Sequence, residues 1–289
     1  MTPQETLKAT VERLITKIES NTTGKWIKPF NCSFPSNGST KTDYQGINIL
    51  NLWSIAEDKN YSSNQWYTFN QLKALKAHVK QGEKASPVFF FKPLEVTETD
   101  EGTGEEITKN IFMLKVYSVF NRSQTTLPEE ADNNEEILDI QDFIDRTNVK
   151  LKNSVEGAFY VPKMDYIGIP SKRNFKSSEL YYATLLHELG HWTGHESRMN
   201  RDFSGRMNGD ETALKSYATE ELIAETIRSF LQVKLGLATT EMEEQNAAYL
   251  KGWLKPLKDD PKMLWKIFSE ASKAYNYILE ITKDEVVAA

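Results

Sequence analysis

The sequence predicts an α+β fold with two domains, a mixed first domain and a mostly helical second one. Two runs rich in aromatic and β-branched residues, 86–96 and 109–120, are typical of paired strands. Further along the chain, apolar residues recur at the spacing of a helix in 177–192 and 217–235. A proline followed by an acidic run, at 125–139, separates these two groups and indicates a linker.

The first domain is expected to contain helices as well as strands. Residues 4–20 carry apolar side chains at helical period, and 46–53 is an apolar run that is compatible with either a strand or a helix. Thr68 is a plausible N-cap for a helix over 68–80. The stretch 97–109, which joins the two predicted strands, is acidic and contains glycine, so we expect a long hairpin loop.

The second domain is expected to begin with a short helix at 136–146 and two short strands at 157–162 and 165–170. A proline closes each of these strands. The strand at 165–170 could lie at the edge of a sheet and hold a peptide backbone by β-addition. An ordinary core strand is an equally good interpretation of the same residues.

Helices make up the remainder of the second domain. One helix is expected to begin after Ser177 as its N-cap and to stop near Gly194. The residues 243–280 are again expected to be helical, with interruptions near Pro256 and Pro261.

Composition narrows the class of protein. The chain has 289 residues, enough for about two domains, which we place at 1–128 and 140–289 with a linker at 129–139. Cys32 is the single cysteine, so an internal disulfide is excluded. No stretch approaches ~18 consecutive apolar residues, and the N-terminus has no apolar signal segment, so we expect no membrane contact and a cytoplasmic location. Residues 24–92 hold nine Lys and Arg against four Asp and Glu, which fits an anionic partner or a mixed solvated surface.

The most specific motif is His187-Glu188-Leu189-Gly190-His191, an H-E-x-x-H within a predicted helix. Residues four apart lie on one face of a helix, so His187 and His191 are expected to bind one Zn²⁺ ion. Glu188 lies beside them and is expected to act as the general base that takes a proton from water at the metal. The sequence therefore predicts a zinc-dependent metallopeptidase.

A zinc site of this kind needs a third protein ligand. We expect Glu221, with Glu225 one turn further along as a hydrogen-bond partner of a ligand histidine. Glu220 remains an alternative because it falls nearer the apolar side of its helix, where an acid needs a partner. His195 is another candidate, but Gly194 is expected to end the helix before it.

Two further features have weaker interpretations. Tyr217 or Arg198 could stabilise an oxyanion near the zinc. In the first half, aromatic residues alternate with basic and amide ones, which suits a site for single-stranded nucleic acid as well as a hydrophobic core. These residues are Trp26, Lys28, Phe30, Tyr44, Asn48, Trp53, Trp66, Phe69, Gln71, Lys80 and Lys84.

Several stretches together resemble the ArdC-type antirestriction proteins of mobile genetic elements. In order, they are GKWIKPF, YQGINILNLW, NQWYTFNQLKAL, VKQGEKASPVFFFK, VFNRSQTTLP, YIGIPSKRNF, YYATLLHELGHWTGH and YATEELIAETIRSFL. The resemblance implies an α+β nucleic-acid-binding domain followed by a zincin-like metallopeptidase domain. It also implies protection of incoming plasmid DNA, for example during conjugation, binding of single-stranded DNA, and a protein substrate that the sequence does not identify.

The resemblance also implies candidate DNA contacts by position. They are Trp66, Thr68, Phe69, Gln71, Lys80, Lys84, Asn121 and Gln124. Two other functions stay open at this point. The chain could be a non-catalytic DNA-binding protein with a structural zinc, or a regulatory protease whose first domain binds protein.

Overall fold

The protein is described by a computed structural model. It covers the following residues: 1–20, 33–99, 106–128, 139–203, 211–237, 258, 260 and 262–283. For 93–99, 106–112 and 211–215 the backbone alone is described.

The first half of the chain contains two long helices, which pack against its sheet. Helix α1 runs Pro3–Ser20 and buries its apolar stripe, as its periodicity predicts. The apolar run at 46–53 proves to be a helix, α2, which runs Ile47–Asp58. Nearly every residue of α2 is buried, including the polar residues Asn48, Asn51 and Ser54, so no exposed polar face distinguishes a helix from a strand in the apolar run.

A four-stranded sheet of order β1-β2-β4-β3 packs against these helices. Its strands are β1 Ser36–Asn37, β2 Gln65–Thr68, β3 Ser86–Thr99 and β4 Glu106–Asn121. Strand β3 pairs antiparallel with β4 along its whole length, from Ser86 opposite Val119 to Thr99 opposite Glu106. The predicted loop at 97–109 is therefore wrong at both ends, because Thr97–Thr99 and Glu106–Lys109 continue the ladder. Their threonines and isoleucine favour extended backbone despite the acidic neighbours.

The helix predicted at 68–80 is shorter than expected. Helix α3 runs Phe69–Ala74, and Thr68 caps it through a reciprocal pair of hydrogen bonds with Gln71. The helix ends because Lys76 adopts a left-handed backbone with φ of 56°. After that turn, Val79 forms an isolated bridge with Thr125 instead of a further helical turn.

The second half opens with helix α4, Ile140–Arg146, whose N-cap is Asp139. The rest of the predicted linker, 129–138, lies outside the described residues. A three-stranded sheet follows, with β5 Leu151–Asn153, β6 Phe159–Val161 and β7 Tyr166–Ile169.

The order of this sheet is β5-β7-β6, so β7 lies between two partners. Its backbone hydrogen-bonds β5 on one side and β6 on the other. The idea that the strand at 165–170 is an edge that captures a peptide is therefore wrong. The burial of Ile167, Gly168 and Ile169 supports the alternative, an ordinary core strand.

Three helices complete the described structure. Helix α5 runs Ser178–Trp192, with Ser177 as its N-cap and Thr193 at its C-terminus, next to the predicted stop at Gly194. Helix α6 runs Glu211–Lys234 and so begins earlier than the predicted 217. Helix α7 runs Lys262–Ile281. The interruptions expected near Pro256 and Pro261 fall outside the described residues.

The two halves share one hydrophobic cluster. Phe34, which precedes the first sheet, lies against Trp53 of α2 and against Phe230 of α6 and Tyr275 of α7. The ring centroids are 5.3, 5.4 and 4.9 Å from that of Phe34, respectively. A cluster of aromatic rings at these separations excludes water and holds the first half against α6 and α7.

Helices α5 and α6 approach each other closely at one glycine. A Cβ atom at Gly190 would lie 2.9 Å from both the Cα and the carbonyl oxygen of Ala224. Backbone cannot yield to such a contact as a flexible side chain would. The pair therefore sets a short separation between the two helices.

None of the helices in the described ranges is both long and apolar enough to cross a membrane.

We expect Phe34→Ala to lower the free energy of unfolding by about 3–5 kcal/mol, because it opens a cavity among three aromatic rings. Urea denaturation followed by tryptophan fluorescence measures the loss. Phe69→Ala is the control, since Phe69 is 61% exposed and its removal should change stability by less than about 0.5 kcal/mol. Equal losses in the two variants would contradict the shared core.

Gly190→Ala should destabilise the protein by about 1–3 kcal/mol, because the new methyl group collides with the backbone of α6. The direction of the change in stability makes this test specific. At an uncrowded helical position, replacing glycine by alanine stabilises by about 1 kcal/mol. A variant with unchanged or higher stability in the same urea titration would show that the helices can separate without penalty.

Candidate metal centre

The H-E-x-x-H segment lies in the last two turns of α5. Its four-residue spacing puts the imidazoles of His187 and His191 side by side, with their Nε2 atoms 3.2 Å apart. His191 is almost completely buried, and His187 is partly open to solvent.

Helix α6 supplies a carboxylate opposite the two histidines. The Oε2 atom of Glu221 lies 3.5 Å from Nε2 of His187, and its Oε1 atom lies 3.4 Å from Nε2 of His191. Among the described side chains, these three residues form a group whose possible ligand atoms all lie within 4.8 Å of one another. The structure thus brings together the three residues that the sequence suggested as ligands.

The other ring nitrogen of each histidine faces a second carboxylate of α6. Nδ1 of His187 lies 3.2 Å from Oε2 of Glu225, and Nδ1 of His191 lies 3.2 Å from Oε1 of Glu220. A carboxylate at Nδ1 keeps the proton there and leaves the Nε2 lone pair for a metal. Glu220, the alternative ligand, therefore lies behind His191 rather than beside Glu221. Helix α6 starts at Glu211, so this acidic cluster lies well inside the helix, and it is buried.

Arg201 holds Glu220 in place, and sequence reasoning missed it. Its Nε donates to Oε2 of Glu220 at 2.8 Å, and its Nη2 donates to Oε1 at 2.9 Å. The same guanidinium donates to the carbonyl of Gly190 at 2.7 Å and to Oγ1 of Thr193 at 2.8 Å. No spacing in the sequence reveals this role, because Arg201 reaches the site through a loop that folds back after α5.

The buried carboxylates around the histidines each lie next to a histidine or an arginine of opposite charge. Burial opposes the charged form of His187, yet its hydrogen bonds to Glu221 and Glu225 raise the pKa of His187 to about 9. Burial would raise the pKa of Glu221, but hydrogen bonds from the two histidines hold that pKa well below its usual range. Arg201 and His191 likewise lower the pKa of Glu220 against the effect of burial. Arg228 pairs with Glu225, so each outer carboxylate of α6 has its own arginine.

The donor set fits zinc in type and in spacing. Imidazole nitrogen and carboxylate oxygen are both ordinary zinc ligands. Bonds of ~2.0–2.2 Å at tetrahedral angles separate neighbouring ligand atoms by roughly 3.3–3.6 Å. The two Nε2 atoms lie 3.2 Å apart, and each lies 3.4–3.5 Å from one of the two oxygens of the Glu221 carboxylate, which is close to that range. A fourth position would remain for water or substrate.

Glu188 lies next to both histidines on α5 and is buried. None of the hydrogen bonds or ion pairs found among the described residues occupies its carboxylate. A carboxylate that no structural contact occupies is free to accept a proton, which suits the role predicted for Glu188.

The other candidates near this site have different positions. Nδ1 of His195 lies 2.8 Å from Oγ of Ser197, and His195 is not part of the ligand group. Arg198 stacks on the ring of Trp192, donates to its carbonyl and pairs with Asp165, so its guanidinium serves the fold rather than an oxyanion. Tyr217 lies in α6 and is 38% exposed.

The candidate DNA contacts fall into two groups, and the first group is buried. Trp66 and Asn121 are 0% exposed, and Gln124 is 1% exposed. Trp66 packs with Leu52 and Val119, and Asn121 donates to the carbonyl of Ser63 at 2.7 Å. We therefore withdraw direct DNA contact for these three, because a buried side chain presents no surface to a ligand. Tyr44 and Trp53 belong to the core for the same reason.

The second group reaches the surface. Phe69, Lys80 and Lys84 are exposed, and Lys80 also donates to the carbonyl of Ser123 at 2.9 Å. Thr68 and Gln71 are partly exposed and form the capping pair of α3. DNA contact by these five residues remains a prediction. Trp26, Lys28 and Phe30 lie outside the described residues.

Comparison with known families assigns the two halves separately. Residues 4–120 match the family ArdcN, described as the N-terminal domain of anti-restriction factor ArdC. Residues 138–273 match the family MPTase-PolyVal, described as a zincin-like metallopeptidase.

Curated relatives include much longer proteins. A DNA primase TraC of Escherichia coli is 30% identical over 95% of this chain, and the chain spans only 27% of that relative's length. A second TraC of Escherichia coli is 32% identical, and the chain spans 20% of it. An uncharacterized protein of Sinorhizobium fredii (strain NBRC 101917 / NGR234), y4eC, is 32% identical over 83% of this chain and 78% of its own length.

Solved structures of similar length match over both halves. The metal-free crystal structure of the antirestriction protein ArdC from plasmid R388 is 39% identical, with a TM-score of 0.75 over 96% of this chain and 97% of that one. The Mn(II)-bound structure of the same protein is 37% identical, with a TM-score of 0.76 over 96% of this chain and 98% of that one. The chain therefore belongs to the family of ArdC antirestriction proteins, with an ArdC N-terminal domain followed by a zincin-like metallopeptidase domain.

Proposed function

We propose that this chain is a zinc-dependent metallopeptidase that also binds single-stranded DNA and protects incoming DNA from restriction. The observation that supports the peptidase most strongly is the group of His187, His191 and Glu221, with Glu188 beside it. The DNA-binding part rests on the membership of the ArdC family.

In this proposal His187, His191 and Glu221 hold zinc. When bound, zinc acts as a Lewis acid and lowers the pKa of a water ligand to about 7. Glu188 accepts the proton of the attacking water and returns it to the leaving amine. Glu225 and Glu220 keep the two imidazoles oriented, and Arg201 fixes the position of Glu220.

A purely structural zinc explains the site less well. Structural zinc sites are closed by four protein ligands, whereas catalytic ones keep an open position. Three candidate ligands converge here within the described part of the chain, and a carboxylate lies beside them. His187 is also the more accessible of the two histidines, so the site can be reached from solvent.

We expect about one zinc per chain in the purified protein, measured by elemental analysis. His187→Ala and His191→Ala should lose it, because two ligands hold a metal far less well than three, while Glu188→Gln should keep it. In chelator competition, Glu221→Ala should weaken zinc binding much more than His195→Ala, which is the matched control outside the ligand group.

Two results would contradict these ligands. One is full zinc occupancy in a variant that lacks both His187 and His191. The other is a weaker zinc affinity in His195→Ala than in Glu221→Ala. Glu188 is tested with labelled casein, provided that the wild type cleaves it. If Glu188→Gln kept its zinc and cleaved casein at the wild-type rate, Glu188 would not be the general base.

We also expect the full chain to bind a labelled single-stranded oligonucleotide more tightly than the matching duplex. Single strands expose base faces for stacking, whereas a duplex hides them. Fluorescence anisotropy at two salt concentrations tests this, and affinity should fall as salt rises. Binding should persist after zinc is removed with a chelator, because the metal centre lies in the other half. Equal affinity for both DNA forms would contradict the proposal.

A further inference from the structure

We propose that single-stranded DNA binds to one exposed face of the β3–β4 hairpin, by stacking on Phe90 and Tyr117 and by contact of its phosphates with Lys92 and Lys115. This inference rests on the proposed DNA-binding function and names its site. We call this surface the hairpin face. It consists of Phe90, Lys92, Met113, Lys115 and Tyr117.

Several large apolar side chains of the β3–β4 hairpin are exposed to solvent. Phe90 is 45% exposed, Met113 42% and Tyr117 48%. Burying a phenylalanine or methionine side chain contributes about 1.5–3 kcal/mol, so folding favours their burial where a partner layer exists. Neighbouring exposed aromatic and apolar residues are a common mark of a binding surface.

The register of the strands puts these side chains on one side of the sheet. Phe90 lies opposite Lys115, and Lys92 lies opposite Met113. Val88 lies opposite Tyr117, two residues before Phe90 along β3. Directly opposite residues share a face, and so do residues two apart on one strand. The rings of Phe90 and Tyr117 meet edge to face, with centroids 5.6 Å apart.

At the start of β3, the same face of the sheet is covered by other residues, so its exposed part begins at Phe90. Val88 and Val119 pack beneath Tyr44 and Leu52 in a small buried cluster. From Phe90 onward, β3 continues past that cover. The hairpin face is therefore the uncovered continuation of a sheet surface whose other end is core.

The charge of the hairpin face suits a polyanion. Lys92 is exposed and Lys115 is partly exposed, and neither forms an ion pair with any residue whose side chain the structure describes. No carboxylate shares this face between Ser86 and Lys92 or between Met113 and Val119. Cations next to aromatic rings are the combination found where single strands bind, since the rings hold bases and the cations hold phosphates.

Phe90 also lines a cleft of about 600 Å³, so a DNA strand bound to the hairpin face can continue into this cleft. It lies between β3 and α7, and Phe91 and Trp265 meet there with centroids 4.7 Å apart. Lys273 of α7 also lines it and pairs with Glu270 at 2.7 Å. The cleft thus adds two further aromatic rings next to the hairpin face.

Single-stranded DNA fits these observations better than duplex DNA or a protein does. A sheet face with exposed aromatics can stack only bases that are unpaired, as in sheet-based single-strand binders. An apolar protein surface would leave the ammonium groups of Lys92 and Lys115 without partners. Tyr44, Trp53 and Trp66, three of the aromatic residues that the sequence pattern suggested, are core residues, whereas Phe90 and Tyr117 are at the surface.

The test uses the full chain and a fluorescein-labelled single-stranded oligonucleotide in anisotropy titrations. The double variant Phe90→Ala/Tyr117→Ala should bind at least about tenfold more weakly, because two stacking partners are lost. Lys92→Gln/Lys115→Gln should reduce the slope of log affinity against log salt by about 1.4. Circular dichroism should show native folding, since all four side chains reach solvent.

Matched controls carry the same changes elsewhere. Tyr166→Ala removes a partly exposed aromatic ring from the second half, and Lys150→Gln/Lys163→Gln removes two exposed lysines from the same half. As a second measurement, an oligonucleotide with 5-iodouracil should cross-link to the peptides that contain Phe90 or Tyr117, as mapped by mass spectrometry.

The outcomes separate this inference from the proposed function. If the wild type binds single strands and the hairpin variants bind equally well, the site is wrong and the DNA-binding function stands. Cross-links found only outside β3 and β4 would have the same meaning. If the wild type binds no single-stranded DNA, the proposed function fails and the inference fails with it.

Discussion

The close contact between Gly190 and Ala224 is the constraint on which the metal centre depends. It lets α5 and α6 approach until backbone meets backbone, with no side chain between them. At that separation, the carboxylate of Glu221 reaches both Nε2 atoms. A wider spacing would leave the two histidines on one helix and the glutamates on another. The glycine inside the motif is thus as important for geometry as the histidines on either side of it.

Once the helices are this close, several charges are buried together, and each must be balanced. Glu220, Glu221 and Glu225 all lie on the buried side of α6. The histidines offset part of their charge, and Arg201 and Arg228 offset the rest. Buried ions without partners are strongly destabilising, so the arginines make the acidic helix compatible with the core. Arg201 also binds the carbonyl of Gly190, which connects the charge network to the helix contact itself.

The two halves of the chain are joined by more than a linker. The aromatic cluster around Phe34 includes residues from α2, α6 and α7, and the backbone of Gly46 donates to Ser272 at 2.8 Å. The cleft beside the hairpin face is lined by residues of both halves. DNA bound along that cleft would contact the domain that carries the metal centre. The arrangement places the proposed DNA-binding surface and the candidate peptidase site on one continuous core.

The sequence by itself determined most of the helices and strands and the pair of histidines with Glu188, because these follow from local spacing. Helical period places His187 and His191 on one face, and β-branched and aromatic residues mark β3 and β4. Only the tertiary structure decided which glutamate faces the histidines, that β7 is central, and that Trp66 is core while Phe90 and Tyr117 are exposed. Local spacing fixes the direction of a side chain on its own element. It contains no information on which other element covers that side, and that is what distinguishes a ligand, a core residue and a binding surface.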